Sequence, residues 1–364
     1  MAGDRRRTQK EVRIADVARL AGVSTATVSR VLATPDKVTP LTHTLVMEAV
    51  RRSGYIPNSA ARNLRTRRTM MVLAVVPNLA NPVLAQILRG IDDELTRSGY
   101  GLVIGNLDNR REREARYVDL ALSRQVDGVL LMNGHIPENG QRDMTEAGLP
   151  MVALCAAMPV EGIPHVVVED REAAREAARH LTRLGHERLA YISGPAGHVI
   201  ETERYAGFIE GLREAGLSER NCLRWEGVFG FSAGLTAAAD FLRIDERPTA
   251  VFAACDESAL GFIKAVRAAG VAVPGDVSVL GFDGIEFSDY SDPTLTTFRQ
   301  PMHEIGRAGA DILLRLIRKE QRPEGWNLRL PVELLERGTT GPAPRGKAHP
   351  TASLARTAGS AGEA

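Results

Sequence analysis

The sequence predicts a small helical head followed by a two-lobed body of doubly wound parallel α/β sheets. Residues 12–32 carry the pattern of two amphipathic helices joined by a tight turn, and from residue 71 strand-like and helix-like segments alternate. Residues 1–70 hold 14 Lys and Arg against 5 Asp and Glu, a net charge of +9; since the whole chain has +1, the remainder has −8. A basic head on an acidic body predicts a polyanion partner for the head alone.

Apolar spacing predicts the first helix of the head. Ile14, Val17, Ala18 and Ala21 recur at i, i+3, i+4 and i+7, so they line one helix face. Gly22 stands where a left-handed C-cap belongs, a conformation that glycine adopts without a Cβ penalty. The pattern therefore indicates a helix that ends at this glycine.

The second helix completes a helix-turn-helix pattern. Ser24 can cap its N-terminus, and Val28, Val31 and Leu32 form its buried face. The side chains on its outer face are Thr25, Ala26, Ser29 and Arg30. This arrangement is typical of a DNA-binding head with a short recognition helix, although two such helices also occur in ordinary helical bundles.

A third helix and a short helical patch follow. Thr39 as N-cap and Pro40 at the first helical position predict a helix that ends at Gly54. Residues 59–65 form a patch too short to be a stable helix alone in water. We therefore expect this hinge helix and its linker, residues 59–70, to fold only against DNA or a second copy of the chain.

The body is predicted as repeated strand–helix units. Apolar strand-like runs cover residues 72–77, 101–106, 126–133, 150–154, 188–194, 250–255 and 277–283. Amphipathic helix-length segments cover residues 82–98, 171–184, 200–215, 256–269 and 301–318. A stretch of about 270 residues in this pattern suits two lobes better than one.

The composition disfavours several classes of protein. Cys155, Cys222 and Cys255 lie far apart and have no metal-ligand spacing, so we expect no disulfide framework, no metal and no cofactor. The N-terminus lacks an apolar signal segment, and no run of about 18 apolar residues predicts a membrane span. We therefore expect a cytoplasmic protein with disordered ends at residues 1–11 and 341–364.

Short motifs along the chain carry a family resemblance. They include Ile14-Ala-Asp-Val-Ala, Gly22-Val-Ser, Thr27-Val-Ser-Arg-Val-Leu and Gly54-Tyr-Ile-Pro-Asn in the head, and Pro77-Asn-Leu-Ala-Asn-Pro, Ile192-Ser-Gly-Pro, Gly281-Phe-Asp and Leu295-Thr-Thr-Phe-Arg-Gln in the body. In these motifs and their order, from about Arg13 to Thr340, the chain resembles the LacI/GalR family of bacterial repressors. The resemblance implies a transcriptional repressor that binds double-stranded operator DNA as a homodimer.

The resemblance also implies the domain organisation. A helix-turn-helix domain at residues 12–58 and the hinge helix precede a body at residues 71–340 that is built like the periplasmic sugar-binding proteins. The chain is expected to cross between the two lobes three times. One lobe would comprise about residues 71–168 and 299–328, and the other about residues 169–298 and 329–340, with a small-molecule effector between them.

Roles in DNA binding follow from the same resemblance. Thr25 and Ala26 hold the two positions that family members vary to choose operators, while Arg30 could fork onto a guanine edge or bind a phosphate. Leu64 corresponds to a leucine that wedges between base steps in the minor groove; the alternative is packing against the body. The candidate DNA-binding residues are Ser24, Thr25, Ala26, Thr27, Ser29, Arg30, Thr42, Asn58, Ala61, Arg62 and Leu64.

Three residues of the head depart from the family pattern. Arg13 stands where a Thr or Ser usually caps the first helix, Ala33 replaces a common Asn, and His43 replaces a common Arg. Asp16 still suits the positive end of the helix dipole. These departures leave the operator preference open.

In open α/β lobes, ligands bind at the carboxyl ends of the strands. The candidate effector-binding residues that we expect there are Asn81, Asn109, Cys155, His198, Arg204, Phe229, Cys255, Asp256, Asp283 and Gln300. Arg204 with Asp283 can hold the hydroxyl groups of a sugar, and Phe229 can stack on its apolar face. The same Arg–Asp pair is also consistent with a purely structural salt bridge.

Two cysteines distinguish this candidate site. Cys155 and Cys255 stand where sugar-binding members of the family have Asn or Asp. Because a thiol is a weak hydrogen-bonding group, they predict a drier pocket than a typical monosaccharide site. We expect a sugar-like effector, such as a glycoside with an apolar part, and a non-sugar ligand remains open.

Two other classes of protein fit parts of the sequence. Gly230-Phe-Ser-Ala-Gly has the form of an α/β-hydrolase nucleophile elbow, and Ser232 is followed by Asp283 and His303 in the required order. His303 falls within a helix pattern, however, where that fold needs a loop, and Ser232 is equally consistent with a helix cap. A periplasmic binding protein would share the body but not the basic head. Neither class explains residues 1–70, so we expect no enzyme activity.

Overall fold

The computed structural model describes residues 12–34, 37–55, 68–158, 160–320 and 326–344. The chain divides into two compact units, a head that ends at Thr69 and a body that begins at Met70. Within the described residues, no helix is long and apolar enough to cross a membrane, and no cluster of His, Cys, Asp and Glu could hold a metal ion.

The described part of the head contains helices α1 (Ile14–Ala21), α2 (Thr25–Ala33) and α3 (Pro40–Ser53). Their predicted ends are confirmed. Gly22 and Gly54 take left-handed φ angles of 68° and 66° after α1 and α3, and Ser24 Oγ accepts the backbone N–H of Thr27 at 3.0 Å. The apolar faces of the three helices meet in one small core, in which Val17, Val28, Val31 and Val46 are buried.

The start of α1 shows how the missing hydroxyl cap is offset. Arg13 offers no side-chain cap, but its backbone N–H donates to the Asp16 carboxylate at 3.0 Å. A carboxylate in the first turn also interacts favourably with the helix dipole. One of the two contacts of a capping box is therefore retained.

The body contains two sheets. Strands β1 (Met71–Val76), β2 (Gly101–Asn106), β3 (Gly128–Leu131), β4 (Met151–Leu154), β5 (His165–Val168) and β11 (Leu328–Leu330) form the first, in the order β11-β5-β4-β3-β1-β2. Strands β6 (Leu189–Ile192), β7 (Cys222–Trp225), β8 (Ala250–Ala253), β9 (Ser278–Asp283), β10 (Thr296–Arg299) and β12 (Glu333–Leu335) form the second, in the order β12-β10-β9-β8-β6-β7. Among the described pairs, β10 with β12 is antiparallel and the others are parallel.

Each sheet is the centre of one lobe. The chain passes from the first lobe to the second after β5, returns after β10, and crosses again between β11 and β12. The last crossing lies after Leu330, two residues beyond the predicted position, because residues 328–330 pair with β5. Strands β5, β7, β10, β11 and β12 were not indicated by the apolar runs.

Helices cover both faces of each sheet. They are α4 (Pro82–Arg97), α5 (Glu114–Leu122), α6 (Asp170–Arg183), α7 (Val199–Glu214), α8 (Phe231–Phe241), α9 (Asp256–Ala268) and α10 (Met302–Ile317). In the first lobe, α4 with α10 packs on one face and α5 on the other. In the second lobe, the pair α6 with α7 covers one face and the pair α8 with α9 covers the other. This doubly wound arrangement brings the carboxyl ends of the parallel strands in each lobe to one edge, where loops can form a site.

Candidate functional site

The outer face of α2 presents the side chains predicted for DNA readout. Thr25, Ala26 and Arg30 are exposed, while Thr27 and Ser29 are half-buried. Helix α2 has no acidic residue in its first turn, so its N-terminal N–H groups face no carboxylate of the helix itself. An exposed helix face of small, hydroxyl and Arg side chains suits contact with base edges and phosphates.

Some of the candidate DNA-binding residues also stabilise helix ends. The Ser24 hydroxyl caps α2 and lies 2.9 Å from the Thr27 hydroxyl. Thr39 caps α3 in the same way, with its hydroxyl 2.9 Å from that of Thr42. Asn58, Ala61, Arg62 and Leu64 lie outside the described residues, as does the side chain of Ala33.

The centre of the body site is the buried guanidinium of Arg204 on α7. Its side chain is 4% exposed, and its Nε donates to Asp170 Oδ1 at 2.8 Å. Asp283 Oδ1 lies 3.8 Å from Nη1, and the guanidinium carbon stands 3.5 Å from the ring centre of Phe282. The sequence pairs Arg204 with Asp283, whereas the structure makes Asp170 its direct partner.

Asp283 occupies a strained position at the end of β9. Its φ of 128° is rare for a residue with a Cβ atom, and such strain tends to occur at functional sites. Gln300 holds the side chain in place, because its Nε2 donates to Asp283 Oδ1 at 2.7 Å. Burial raises the pKa of Asp283 to about 8, although the positive charge of Arg204 acts in the opposite direction.

Asp170 and Arg204 shift each other's pKa values. Burial raises the pKa of Asp170, while the charge of Arg204 and its hydrogen bond lower it. For Arg204, burial alone would lower the pKa, but the carboxylates of Asp170 and Asp283 outweigh burial and raise it. The guanidinium therefore stays charged between two carboxyl groups.

Aromatic and neutral groups lie next to the charged cluster. The ring of Phe229 is 5.9 Å from the Arg204 guanidinium carbon and 5.6 Å from the His198 ring, which it meets edge-on. Burial, followed by the charge of Arg204, lowers the pKa of His198. A side chain at Gly194 would overlap the Phe229 ring, so this glycine makes room for it.

The first lobe contributes Cys155 and Asn133 to the same region. Cys155 follows β4 with a φ of 69°, and burial raises the pKa of its thiol to about 12, with Asp170, Arg204 and Asp283 also acting on it. Asn133 follows β3 and is 7% exposed, yet neither its Oδ1 nor its Nδ2 has a partner among the described residues. The next residue, Gly134, lies against His198 of the second lobe.

Asp256, a predicted effector ligand, has a structural role in the folded chain. The residue is completely buried, and its Oδ2 accepts hydrogen bonds from the N–H groups of Gly284 and Ile285 and from the Ser288 hydroxyl. Its Oδ1 accepts one from the Thr297 hydroxyl at 2.5 Å. Asp256 therefore holds the loop that follows Asp283, and its contact with the effector stays a prediction.

Of three other predicted residues, Cys255 and Asn81 are engaged within the protein, whereas Asn109 is exposed. Cys255 is 4% exposed, and its Sγ lies 3.1 Å from the Ser258 hydroxyl. Asn81 Oδ1 caps α4 by accepting the Val83 N–H at 2.9 Å. Asn109 is exposed in the turn after β2, with a left-handed φ of 56°. Strand-end position alone does not separate capping residues from ligand-binding ones.

The hydrolase alternative is not supported by the geometry. His303 on α10 bonds to Asp93 at 2.9 Å, and Asp283 bonds to Gln300, so these two residues do not form a triad. Ser232 lies in the first turn of α8, whose N-cap is Gly230, so the predicted helix cap at Ser232 is also wrong.

Sequence reasoning missed Asn133 and the pairing of Asp170. Both residues follow the end of an apolar strand, and this position is the only feature of the sequence that could have indicated them. The strand β5 that precedes Asp170 was not predicted, so nothing marked that residue as the partner of Arg204. Asn133 is recognisable only from its buried, unpaired amide, which is a property of the folded chain.

A separate helix-turn-helix unit and two open α/β lobes with a buried polar cluster at their strand ends define a ligand-responsive DNA-binding regulator. Residues 13–58 match the family of bacterial regulatory proteins named after lacI, and residues 178–340 match a periplasmic binding protein-like domain. The chain belongs to the LacI family and is a DNA-binding transcriptional regulator.

Known proteins resemble the chain over almost its whole length. The HTH-type transcriptional repressor CytR of Escherichia coli (strain K12) is 35% identical over 325 residues, which cover 89% of this chain and 95% of CytR. The Lac repressor dimer bound to operator and the anti-inducer ONPF has a TM-score of 0.80 at 28% identity and covers 91% of this chain and 100% of its own. The complex of the transcriptional regulator CelR with cellobiose has a TM-score of 0.68 at 32% identity, covering 90% and 99%.

Proposed function

We propose that this regulator is a repressor that binds a pseudo-palindromic operator as a homodimer and is controlled by a sugar or glycoside held between its lobes. The names of CytR as a repressor, of the operator-bound Lac repressor dimer and of the CelR–cellobiose complex support this proposal. A protein that binds operator DNA acts where that DNA is, in the cytoplasm. We expect no enzyme activity, because these relatives are named as regulators.

The buried cluster of Asp170, Arg204, Asp283 and Gln300 carries the proposal. A guanidinium fork and carboxylates can hold vicinal hydroxyl groups, and the nearby ring of Phe229 can stack on the apolar face of a sugar. Groups of the second lobe would meet Asn133 and Cys155 of the first lobe across the ligand. Binding would then shift the population of open and closed lobes, which is the change that reaches the DNA-binding head.

At the DNA end, Thr25, Ala26 and Arg30 are proposed to read base edges, with Ser24, Thr27, Ser29 and Thr42 on phosphates. We also propose the domain bounds predicted from the sequence, in which a hinge segment at residues 59–70 joins the head to the body. Leu64 remains the proposed minor-groove wedge of that hinge, with Asn58, Ala61 and Arg62 beside it.

Exposed apolar side chains support the dimer. Strands β2 and β7 are the edge strands of their sheets, and Ile104 and Leu223 on them are exposed. Val228, Phe231 and Leu235, which follow β7 in the chain, are exposed as well. Apolar groups at the edges of both sheets favour association with a second copy of the chain.

Thermal unfolding of the purified protein against pentoses, hexoses, disaccharides and aryl glycosides tests the effector site. A ligand at about 100 times its Kd should raise the free energy of unfolding by about 2.7 kcal/mol. Arg204→Ala should abolish the shift, whereas Arg213→Ala, an exposed change on the same helix, should preserve it. A shift that persists in Arg204→Ala would place the ligand elsewhere, and the absence of any shift would refute a sugar effector.

A further inference from the structure

A buried carboxylate holds the loop that follows β3. Glu114 is the first residue of α5, its side chain is 2% exposed, and its Oε1 lies 2.6 Å from Nε2 of His135. Its Oε2 accepts the backbone N–H of Glu138 at 3.0 Å. Both carboxylate oxygens are therefore bound by residues 133–138, which we name the β3 loop.

The hydrogen bonds of His135 require a proton on each ring nitrogen. Nδ1 lies 3.2 Å from the backbone carbonyl oxygen of Asn133, and Nε2 faces the carboxylate of Glu114. A carbonyl oxygen and a carboxylate only accept hydrogen bonds, whereas a neutral imidazole has a single N–H to donate. A carboxylate at the N-terminus of a helix also interacts favourably with the helix dipole. The geometry thus fits an imidazolium that is paired with a carboxylate.

The β3 loop meets the second lobe at Gly134. A Cβ atom at this glycine would lie 3.4 Å from Nε2 of His198, the N-cap residue of α7. Nδ1 of His198 accepts the Ile200 N–H at 3.3 Å, so a neutral ring carries its proton on Nε2, on the side of Gly134. The preceding residue, Asn133, has a buried amide without a partner among the described residues. Glu114 and His135 therefore fix the part of the first lobe that meets the second across the cleft.

The titratable groups that face His135 come from both lobes. Glu114 on α5 attracts the imidazolium. Burial, then the charge of Arg204 and then that of His135, lower the pKa of His198, so the imidazole of His198 is neutral at pH 7. The charge of His135 is therefore balanced within the first lobe and meets an uncharged ring of the second.

We propose that Glu114 and His135 are positioning residues for the effector, which hold the β3 loop while His135 carries two protons and release it when His135 loses one. This inference rests on the proposed function, since it concerns the first-lobe side of the same cleft. Loss of the proton replaces a charge-assisted hydrogen bond, which is about twice as strong as a neutral one, by a nitrogen lone pair that faces an oxygen. The loop then loosens, and both the contact with His198 and the affinity for the effector decrease.

Hydrogen exchange of the effector-free protein tests the hold on the loop. The reporter is the amide of Glu138, because it donates to Glu114. Its protection, corrected for the intrinsic effect of pH, should fall at least about fivefold from about pH 5.5 to about pH 8.5, the range in which histidines change charge. The fall should have the midpoint at which NMR shows His135 to titrate. Protection that does not follow the titration of His135 would overturn the inference.

Two kinds of variant accompany this measurement. Glu114→Gln and His135→Gln remove the ion pair, so the Glu138 amide should have low protection at every pH. His303→Gln is the matched control, because it breaks a comparable but exposed pair, with Asp93 at 2.9 Å, and should keep the wild-type profile.

Calorimetry tests the effect on the effector, with the sugar that most raises the unfolding temperature of the wild type as the probe. The affinity of the wild type relative to that of His135→Gln should fall about tenfold over the same pH range. This ratio cancels the titration of Asp283, whose pKa of about 8 affects both proteins. A constant ratio would overturn the positioning role, because a purely structural pair changes stability and not the pH profile of affinity. If no sugar binds, the proposed function fails, and the exchange of the Glu138 amide still decides whether the pair holds the loop.

Discussion

Asp283 combines a strained backbone with a buried acid, two features that a surface residue would not retain. Its φ of 128° is maintained because the next residue is Gly284 and because Asp256 binds the N–H groups of Gly284 and Ile285. The side chain is fixed by Gln300 and stands near Arg204. Strain and burial of this kind are tolerated where a side chain must be presented to a ligand.

The proton of Asp283 predicts a dependence of stability on pH. Burial raises its folded-state pKa to about 8, while an unfolded Asp titrates near 3.9. The folded protein therefore holds the proton more tightly than the unfolded chain does. The resulting contribution of Asp283 to the free energy of unfolding is fully present below about pH 4 and is lost as the pH rises to about 8. Within that interval, the free energy of unfolding should fall by at most about 1.4 kcal/mol for each pH unit.

Urea unfolding of wild type and Asp283→Asn between about pH 6.5 and 8.5 measures this contribution. Buried histidines with lowered pKa values act mainly below this interval, because an unfolded His titrates near 6.5. The wild type should lose stability across the interval relative to Asp283→Asn, which cannot ionise. Asp292→Asn, a change at an exposed carboxylate, should follow the wild type. Parallel curves for Asp283→Asn and wild type would show that Asp283 is already ionised.

At the residue scale, sequence reasoning predicted that five candidate residues lie together but missed several of their contacts. Arg204, Asp283, Phe229, Gln300 and His198 lie together as expected, because parallel strands end at one edge. The four hydrogen bonds that Asp256 accepts were not predictable, since nothing in a sequence shows that a carboxylate will receive them from residues far along the chain. The free amide of Asn133 was invisible for the same reason.

At the element scale, glycines set the distance between helices α6 and α7. A Cβ atom at Gly207 would overlap the backbone carbonyl of Arg171, and one at Gly211 would overlap that of Arg175. Close approach also brings charged side chains of the two helices together, as in the contact of Arg179 with Glu214 at 2.8 Å. Because these ion pairs are largely exposed, we attribute the stability of the helix pair mainly to backbone packing.

Gly207→Ala should therefore destabilise the body. The added methyl group cannot be accommodated without separating α6 from α7, and overpacking of this kind costs about 1–3 kcal/mol. Gly230→Ala is the control, because a Cβ atom there meets nothing within 4 Å. Chemical unfolding should show a lower midpoint for Gly207→Ala alone; equal midpoints for the two variants would mean that the helices separate at no cost.

The strands missed from the sequence share a physical cause. All five are three or four residues long. Strands β7, β11 and β12 are edge strands, and β5 and β10 lie next to β11 and β12. Exposed positions interrupt the apolar pattern of the edge strands β7, β11 and β12, and the pairing of such strands is determined by neighbouring strands. The longer strands β1 and β9 and the short strand β8 were predictable because their residues are apolar and almost all buried.

At the scale of the whole molecule, exposed apolar edges predict a dimer. Leu235→Glu places a charge at an exposed apolar residue of α8, the helix that follows β7 in the chain, and should shift the protein from dimer to monomer in sedimentation experiments. Val199→Glu changes an exposed apolar residue at the start of α7 and should remain dimeric. A wild-type monomer, or a Leu235→Glu variant that sediments as the wild type does, would place the subunit interface elsewhere.

We propose that a sugar or glycoside in the cleft controls DNA binding by the head. The most direct measurement is fluorescence anisotropy of a duplex selected from a random library, with and without the best-binding sugar, in wild type and Arg204→Ala. The account predicts salt-dependent DNA binding in both proteins and a sugar-dependent change in affinity in the wild type alone. A sugar response that survives in Arg204→Ala, or DNA binding that no cleft ligand alters in the wild type, would contradict it.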